Sequence, residues 1–454
     1  MKKGLLILLA LVFAFSLAAC SSGNNEGANN APEANNTAEN EPAVSEADAP
    51  AEKEDITLKF FTALADRSNG AGKVEQEIID NYMKLNPNVK IEVEALQDEP
   101  YKTKIKVYAA SSDMPDIMQV WGQPVFIDPL IQADKLLELN PADFNDKNFV
   151  AGAMEGFSGG GKLYGVPRGT DFFVLFYNKK LFADNGVTPP ATTADLLAVA
   201  KQFREKGINP IAFDGMDGWP FPIWFEYMLQ RETGDFNFMD KAMKGEASFN
   251  DPAVIAAAKN MQELAKAKGF ADGFLTADYG ASRNLFGQEQ AAMYMMGSWE
   301  AGLATDENFS ASFRENVGAL AYPASANAKA TDTAAWYGGG YSVSKTSKHP
   351  EAAVEFLKYF FQPENWAKLT WQAGAGFPAQ KFDEFLTGSE TNLQKDLIAI
   401  FSNMTSSSNT PVLDTSTDKF KQDIMSLHQK LTGDQISPED FAKELDAAAA
   451  AARQ

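Results

Sequence analysis

"ITLKFFTAL" (residues 56–64) opens the part of this 454-residue chain that is able to fold, and the order of the segments after it decides the fold. The run is rich in aromatic and β-branched residues and reads as a strand. Residues 74–85 then place apolar side chains at helical spacing and stop at Asn86-Pro87, where proline cannot continue a helix. "VKIEVEAL" (89–96) alternates as a half-buried strand, and residues 101–110 return to helix. "PDIMQVW" (115–121) is apolar enough for a strand buried on both faces. Strand, helix, strand, helix, strand predicts a parallel sheet with helices on its faces. Ligands of such sheets lie beyond the strands' carboxyl ends. Trp121 stands at one such end, and Asp66 and Arg67 come just after another.

A second α/β region comes next. "DFFVLFYN" (171–178) is too apolar to be exposed on either face, and Thr192-x-x-Asp195 opens a helix to Lys206 as a capping box. "INPIAF" predicts a strand leading to Asp214 and the turn-rich "DGMDGWPFP", which carries Asp217 and Trp219. Asp251-Pro252 starts a further helix. "AMYMMGSWE" (292–300) is a short apolar run halted by Gly297, so Trp299 and Glu300 are delivered beyond a sheet edge. "NVGALAYP" reads as a strand crossing between two bodies. "GGGYSVSK" (338–345), preceded by Trp336 and Tyr337, leads to a helix opened by Pro350. Three helical segments finish the chain. The expected division is lobe one at 56–169 plus 323–376, and lobe two at 170–322 plus 377–454. Crossings are expected near residues 170–173, 320–322 and 376–378.

Composition narrows the function. Lys and Arg number 40 against 61 Asp and Glu, a net charge of −21, which argues against nucleic acid and against charge-driven adsorption to an anionic membrane. Lys2 and Lys3 precede an apolar run over 5–19 that ends in "LAAC", the pattern of an export signal over residues 1–19. "LAAC" resembles the lipobox of bacterial lipoproteins, which implies cleavage before Cys20 and lipidation of that residue. Cys20 is the chain's sole cysteine, so no disulfide forms within it. From 21 to 55 the composition is Asn, Ala, Glu and Ser, with nine acidic residues against one Lys. It has too little apolar surface to offset chain entropy and reads as an acidic tether.

Enzyme motifs do not survive their context. "GFSGG" (156–160) matches G-x-S-x-G, but "GKLYGVP" stands where a nucleophile elbow needs a helix. "GFSGGGKL" lacks the Ser or Thr that a phosphate loop needs after its Lys. His349 and His428 are the only histidines and supply no zinc set. Two carboxylates suffice for glycoside hydrolysis, with Asp214, Asp217 and Glu300 as candidates, but the sequence sets no pair at catalytic separation.

Aromatic distribution is more informative. Trp224, Trp366 and Trp371 fall in helical patterns and read as core. Trp121, Trp219, Trp299 and Trp336 each stand where a pattern breaks, beside Gly, Pro or a carboxyl group, with Asp171, Asp214 and Glu300 near them. Rings that stack on C–H faces and carboxylates that accept from hydroxyls suit an apolar small-molecule cleft with a few placed polar groups. "LAAC", "DITLKFFTA", "SSDMPDIMQVWG", "GKLYGVPRGTDFFVLFYNKKLFADNG", "LFGQEQAAMYMMGSWEAG" and "GGGYSVSKTSKHPEAAVEFLKYF", in that order, resemble the extracellular solute-binding lipoproteins of family 1.

That resemblance implies a two-lobe α/β fold of the periplasmic-binding-protein type, each lobe a mainly parallel sheet flanked by helices. It implies a saccharide in the interlobe cleft, delivery to the membrane permease of an ABC importer, and no chemistry, cofactor or metal. It implies a monomer anchored at the outer face of a Gram-positive cell membrane. Onto this sequence it carries Trp299 in its "GxWE"-like turn, Asp66 and Arg67, Trp121, and Trp336 or Tyr337. Three glycines stand where a second aromatic is common, and "AGAGFP" lacks an Arg that some members have. A surface-anchored glycoside hydrolase or lyase, or a binder of a non-sugar solute, shares the same gross features. Product formation would distinguish the first.

Overall fold

β1 (Ile56–Thr62) buries Leu58, Phe60 and Phe61 and seeds the first sheet. It pairs in parallel with β2 (Val89–Ala95) along its whole length and with β3 (Ile117–Trp121) through Phe60 and Ile117. The crossovers are α1 (Gly70–Leu85) and α2 (Asp98–Ala110). In this computed structural model, residues 54–111, 113–405 and 410–454 are described. The leader, Cys20 and most of the tether therefore lie outside the described residues. Beyond β3, α3 (Pro124–Gln132) leads to a hairpin of β4 (Ser158–Gly159) and β5 (Lys162–Leu163). Its turn residues Gly160 and Gly161 have φ of +59° and +79°, the left-handed pair that a tight hairpin demands. Ser158 thus starts a hairpin and not a nucleophile elbow.

The chain touches the first sheet again at β6 (Val166–Pro167) before entering the second as β7 (Thr170–Asn178). β8 (Asn209–Ala212), β9 (Ala291–Gly297) and β10 (Val317–Leu320) complete that sheet, in the order β10-β7-β9-β8. β11 (Ala335–Tyr337) adds to β7, and β12 (Gly339–Val343) returns to the first sheet, whose order is β2-β1-β3-β12-β6. The second sheet is mixed: β8 and β9 are parallel, but β7 runs against both β9 and β10. The cause is topological. β7 comes from the other lobe and enters at the end where β9 leaves, with Phe173 opposite Gly297. It must therefore run in the opposite sense.

Each sheet has its own core. Phe60, Ile78, Ile117, Phe356 and Phe360 belong to the first, and Phe173, Trp224, Met261, Met293, Phe420 and Leu445 to the second. Three segments run side by side between them. Thr170 N donates to Phe377 O (2.9 Å), Ala379 N to Arg168 O (3.1 Å) and Arg168 N to Gly339 O (2.8 Å). The middle crossing falls at Gly338 rather than near residues 320–322. β10 pairs Leu320 with Leu175, and Ala334 and Trp336 lie in the second core, so 323–337 stays with the second lobe. An apolar strand that ends at proline looks the same locally whether it crosses or lines a sheet edge. The helix Trp366–Gln372 serves both cores, Trp366 the first and Trp371 the second. Among the described residues no helix is long and apolar enough to cross a membrane.

Candidate functional site

Strand direction brings the carboxyl ends of β1, β2, β3, β8 and β9 to one cleft, because Gly339 opens β12 beside Trp121 and Gly297 ends β9 beside Phe173. On the first lobe Trp121 is half-buried, packed on Phe126 and Tyr101 with ring centroids 4.7 and 5.7 Å away. α2 starts just after β2 and carries Lys102 to this ring, Nζ lying 5.3 Å from its centroid. The same Nζ lies 5.9 Å from the centroid of Trp219 in the second lobe, so one ammonium faces an indole of each lobe. Asp98 Oδ2 (2.6 Å) and Glu99 Oε1 (2.8 Å) accept from it. Burial would lower its pKa, but the two carboxylates outweigh that and hold it well above the usual lysine range. A second link across the cleft joins Lys106 Nζ to Asp418 Oδ2 at 2.6 Å.

On the second lobe, the loop after β8 buries Asp214 completely. Its Oδ1 accepts from Asp217 N (3.1 Å), while Oδ2 has no partner among the described residues. Burial first, then the neighbouring Asp217, push its pKa well above the usual carboxylate range and favour its neutral form. Asp217 is also pushed up, by burial first, and its Oδ2 accepts from Tyr279 N (3.2 Å). Trp219, 9% exposed, precedes the helix Pro220–Thr233, and its Nε1 is buried without a partner among the described residues.

Trp299 completes a row of indoles, 5.9 Å from Trp219 and 6.2 Å from Trp336 between centroids. Trp336 is 8% exposed, whereas Trp299 is only half-buried and presents more of its ring. A Cβ on Gly297 would stand 2.1 Å from Trp299 Cζ3, so the indole lies directly on its own backbone two residues back. Glu300, behind it, is 3% exposed and fully engaged: Oε2 accepts from Arg283 Nε (2.8 Å) and Oε1 from the Tyr279 hydroxyl.

At the crossing segments Asp171 lies opposite Trp336 in the β7–β11 register. Its half-buried carboxyl is pushed up to about 6 by burial, with Arg168 opposing. A Cβ on Gly338 would be 1.7 Å from its Oδ2, and one on Gly340 would be 2.3 Å from Val166 O. The glycine run therefore makes room for a carboxylate and a neighbouring strand. Tyr337 is half-buried beside them. Arg67 turns inward, pairing with buried Glu75 and donating from Nη2 to Gln76 Oε1 (2.9 Å). Glu75 also accepts from Thr62 Oγ1 (3.2 Å) and the Tyr341 hydroxyl, and Gln119 ties Thr62 to Arg168. Asp66 is exposed and caps its own turn, accepting from Ser68 N at 2.9 Å.

Trp121 and Trp219 thus stand on either side of the Lys102 ammonium, Trp299 and Trp336 continue the row of indoles in the second lobe, and Asp171 lies opposite Trp336 at the crossing segments. Asp214 lies beneath the loop that carries Trp219. Arg67 and Glu300 hold scaffold, and Asp66 stands at the rim. Residues 66–365 match the pattern of the bacterial extracellular solute-binding proteins. The chain belongs to that family.

An ABC transporter extracellular-binding protein of Pyrococcus horikoshii is 28% identical to this solute-binding protein over 288 residues, 62% of this chain and 64% of the relative. The maltodextrin-binding protein MdxE of Bacillus subtilis is 26% identical over 372 residues, 79% of this chain and 76% of its own. A structure from work on xylan utilization by the thermophilic bacterium Caldanaerobius polysaccharolyticus superposes with a TM-score of 0.79 at 28% identity. It covers 86% of this chain and 99% of that one.

Sequence reasoning missed Lys102, Arg168 and the Glu75–Gln119 network. Asp98 and Lys102 are visible as an i, i+4 pair, but that spacing usually marks a solvated helix face. Arg168 and Glu75 have no periodic signal, because Arg168 meets Gln119 49 residues away and Glu75 meets Tyr341 266 residues away.

Proposed function

We propose that this solute-binding protein binds a saccharide between its lobes and delivers it unaltered to the permease of an ABC importer. The observation that carries this reading is the set of indoles, Trp121 from one lobe and Trp219 and Trp299 from the other, meeting at the carboxyl ends of both sheets. Flat apolar faces, with Asp98 and Glu99 around the Lys102 ammonium and half-buried Asp171 opposite Trp336, match the alternating C–H faces and hydroxyls of a sugar. The maltodextrin-binding relative and the structure from xylan utilization point to an oligosaccharide. Lobe one comprises 56–169 plus the segment from Gly339 to the helix at Trp366, lobe two the remainder, and the three crossing segments act as the hinge. Export and lipidation at Cys20 would hold a monomer at the outer face of a Gram-positive membrane, lifted from it by the acidic tether. Non-catalytic handling is supported by Glu300, whose two oxygens are held by Arg283 and Tyr279 instead of facing a bond to be cleaved.

A thermal-shift screen over malto-, xylo-, cello- and chito-oligosaccharides tests the reading. A ligand at 100 times its Kd adds about 2.7 kcal/mol, which raises Tm by several degrees. The sugar recovered afterwards should have its original length. A shortened sugar would favour the hydrolase reading.

A further inference from the structure

We infer that the cleft selects by charge, accepting uncharged saccharides and rejecting those that bear carboxylate groups. This rests on the saccharide reading and names the ligand class within it. The ammonium of Lys102 lies near both Trp121 and Trp219, the indoles to which the saccharide reading assigns the sugar. Asp98 and Glu99 both hold that ammonium, so two negative charges stand against one positive one. The field of Asp98 reaches Asp214, and those of Glu99 and Asp98 reach Asp217, adding to the pressure against ionisation there. The other cations around the cleft are engaged: Arg67 by Glu75, Arg283 by Glu300 and Asp306. Arg168 donates to Gln119 and stands beside Asp171.

A carboxylate entering here must pull Lys102 from its two partners, rely on the single neutral N–H of Trp219, or lie unpaired against indole rings. Each is costly where water is partly excluded. The protein's own carboxyl at this place, Asp214, is fully buried with one oxygen unpartnered among the described residues. A further anion brought near it would add to the repulsion that Asp217 already exerts on this carboxyl. A neutral sugar brings hydroxyls for the carboxyl groups and C–H faces for the rings.

The test is calorimetric titration of the whole protein at pH 7.5 with matched probes. Cello- and xylo-oligosaccharides are compared with cello-oligosaccharides oxidised at C6 and with xylo-oligosaccharides bearing a glucuronic acid branch. The methyl esters of these acids serve as uncharged controls of the same shape. The acids should bind at least tenfold more weakly than their methyl esters. The Asp98→Asn/Glu99→Gln variant, which leaves Lys102 unbalanced, should narrow that gap at least threefold by improving binding of the acids. Lys102→Met should widen it. Equal or tighter binding of the acids, or a gap that neither variant moves, overturns the charge inference and leaves the saccharide reading standing. Absence of binding by every probe, neutral or charged, and by malto- and chito-oligosaccharides titrated in the same way, overturns both.

Discussion

The indole of Trp299 lies on the α-carbon of Gly297, and this single contact explains a glycine that backbone geometry does not. Gly297 has φ −89° and ψ 166°, a conformation open to any residue, so the ring alone excludes a side chain there. Gly297→Ala should therefore displace the indole and weaken saccharide binding tenfold or more in a folded protein. In a Trp299→Ala background the same change should be nearly silent, so a double-mutant cycle reads the coupling directly. Additive effects would show that the glycine serves something else. His428 makes a separate residue-scale prediction. It is fully buried beside Phe225 and Phe441, both at 4.9 Å between centroids, with Nδ1 2.7 Å from Ile424 O. Burial, partly offset by that backbone bond, lowers its pKa from 6.5 to about 4. The unfolded chain then binds a proton between pH 6.5 and 4 that the folded chain refuses. Stability is complete above that window and falls through it on acidification, by up to about 3 kcal/mol. Urea unfolding of the wild type and His428→Leu at pH 7 and pH 4 should show this slope lost in the variant. An equal acid sensitivity of both would remove His428 as a cause.

Elements whose pattern is local are legible in the sequence. The capping box at Thr192 and Asp195 forms with both of its bonds, and the strands at "ITLKFFT", "VKIEVEA" and "IMQVW" stand where alternation or apolar runs put them. Trp224, Trp366 and Trp371, expected in the core, are each at most 2% exposed. What the pattern does not carry is direction and partner. β7 is buried from Phe172 through Phe176, so its composition is equally good for a parallel or an antiparallel neighbour. β10 reads as a crossing for the same reason. The turn between β11 and β12 yields a test at this scale. Gly338→Ala would place a methyl on the Asp171 carboxylate and should destabilise the protein by about 1–3 kcal/mol, the usual range for overpacking. Gly338→Ala combined with Asp171→Ala should recover most of that loss. If the double variant is as unstable as the single one, the glycine is required for its backbone and not for Asp171.

At the scale of the whole molecule, two sheets with separate cores share three crossing segments and face each other across indoles and one lysine. The sequence foretells two lobes because strand and helix patterns alternate twice. It places Trp121, Trp219 and Trp299 each at or after the carboxyl end of a strand, and the rings of Trp121 and Trp219 both stand near the Lys102 ammonium. It does not show that α2 reaches across, since contacts such as Lys106 with Asp418 join residues 312 apart. The central claim, that these indoles bind a saccharide in the cleft, is tested most directly by calorimetric titration of the wild type and Trp299→Ala with malto-, xylo- and chito-oligosaccharides. The wild type should bind at least one series saturably, one to one. Trp299→Ala should lose about 2 kcal/mol or more, roughly thirty-fold in Kd. No heat from any series, or an undiminished affinity in a folded Trp299→Ala protein, would contradict that claim.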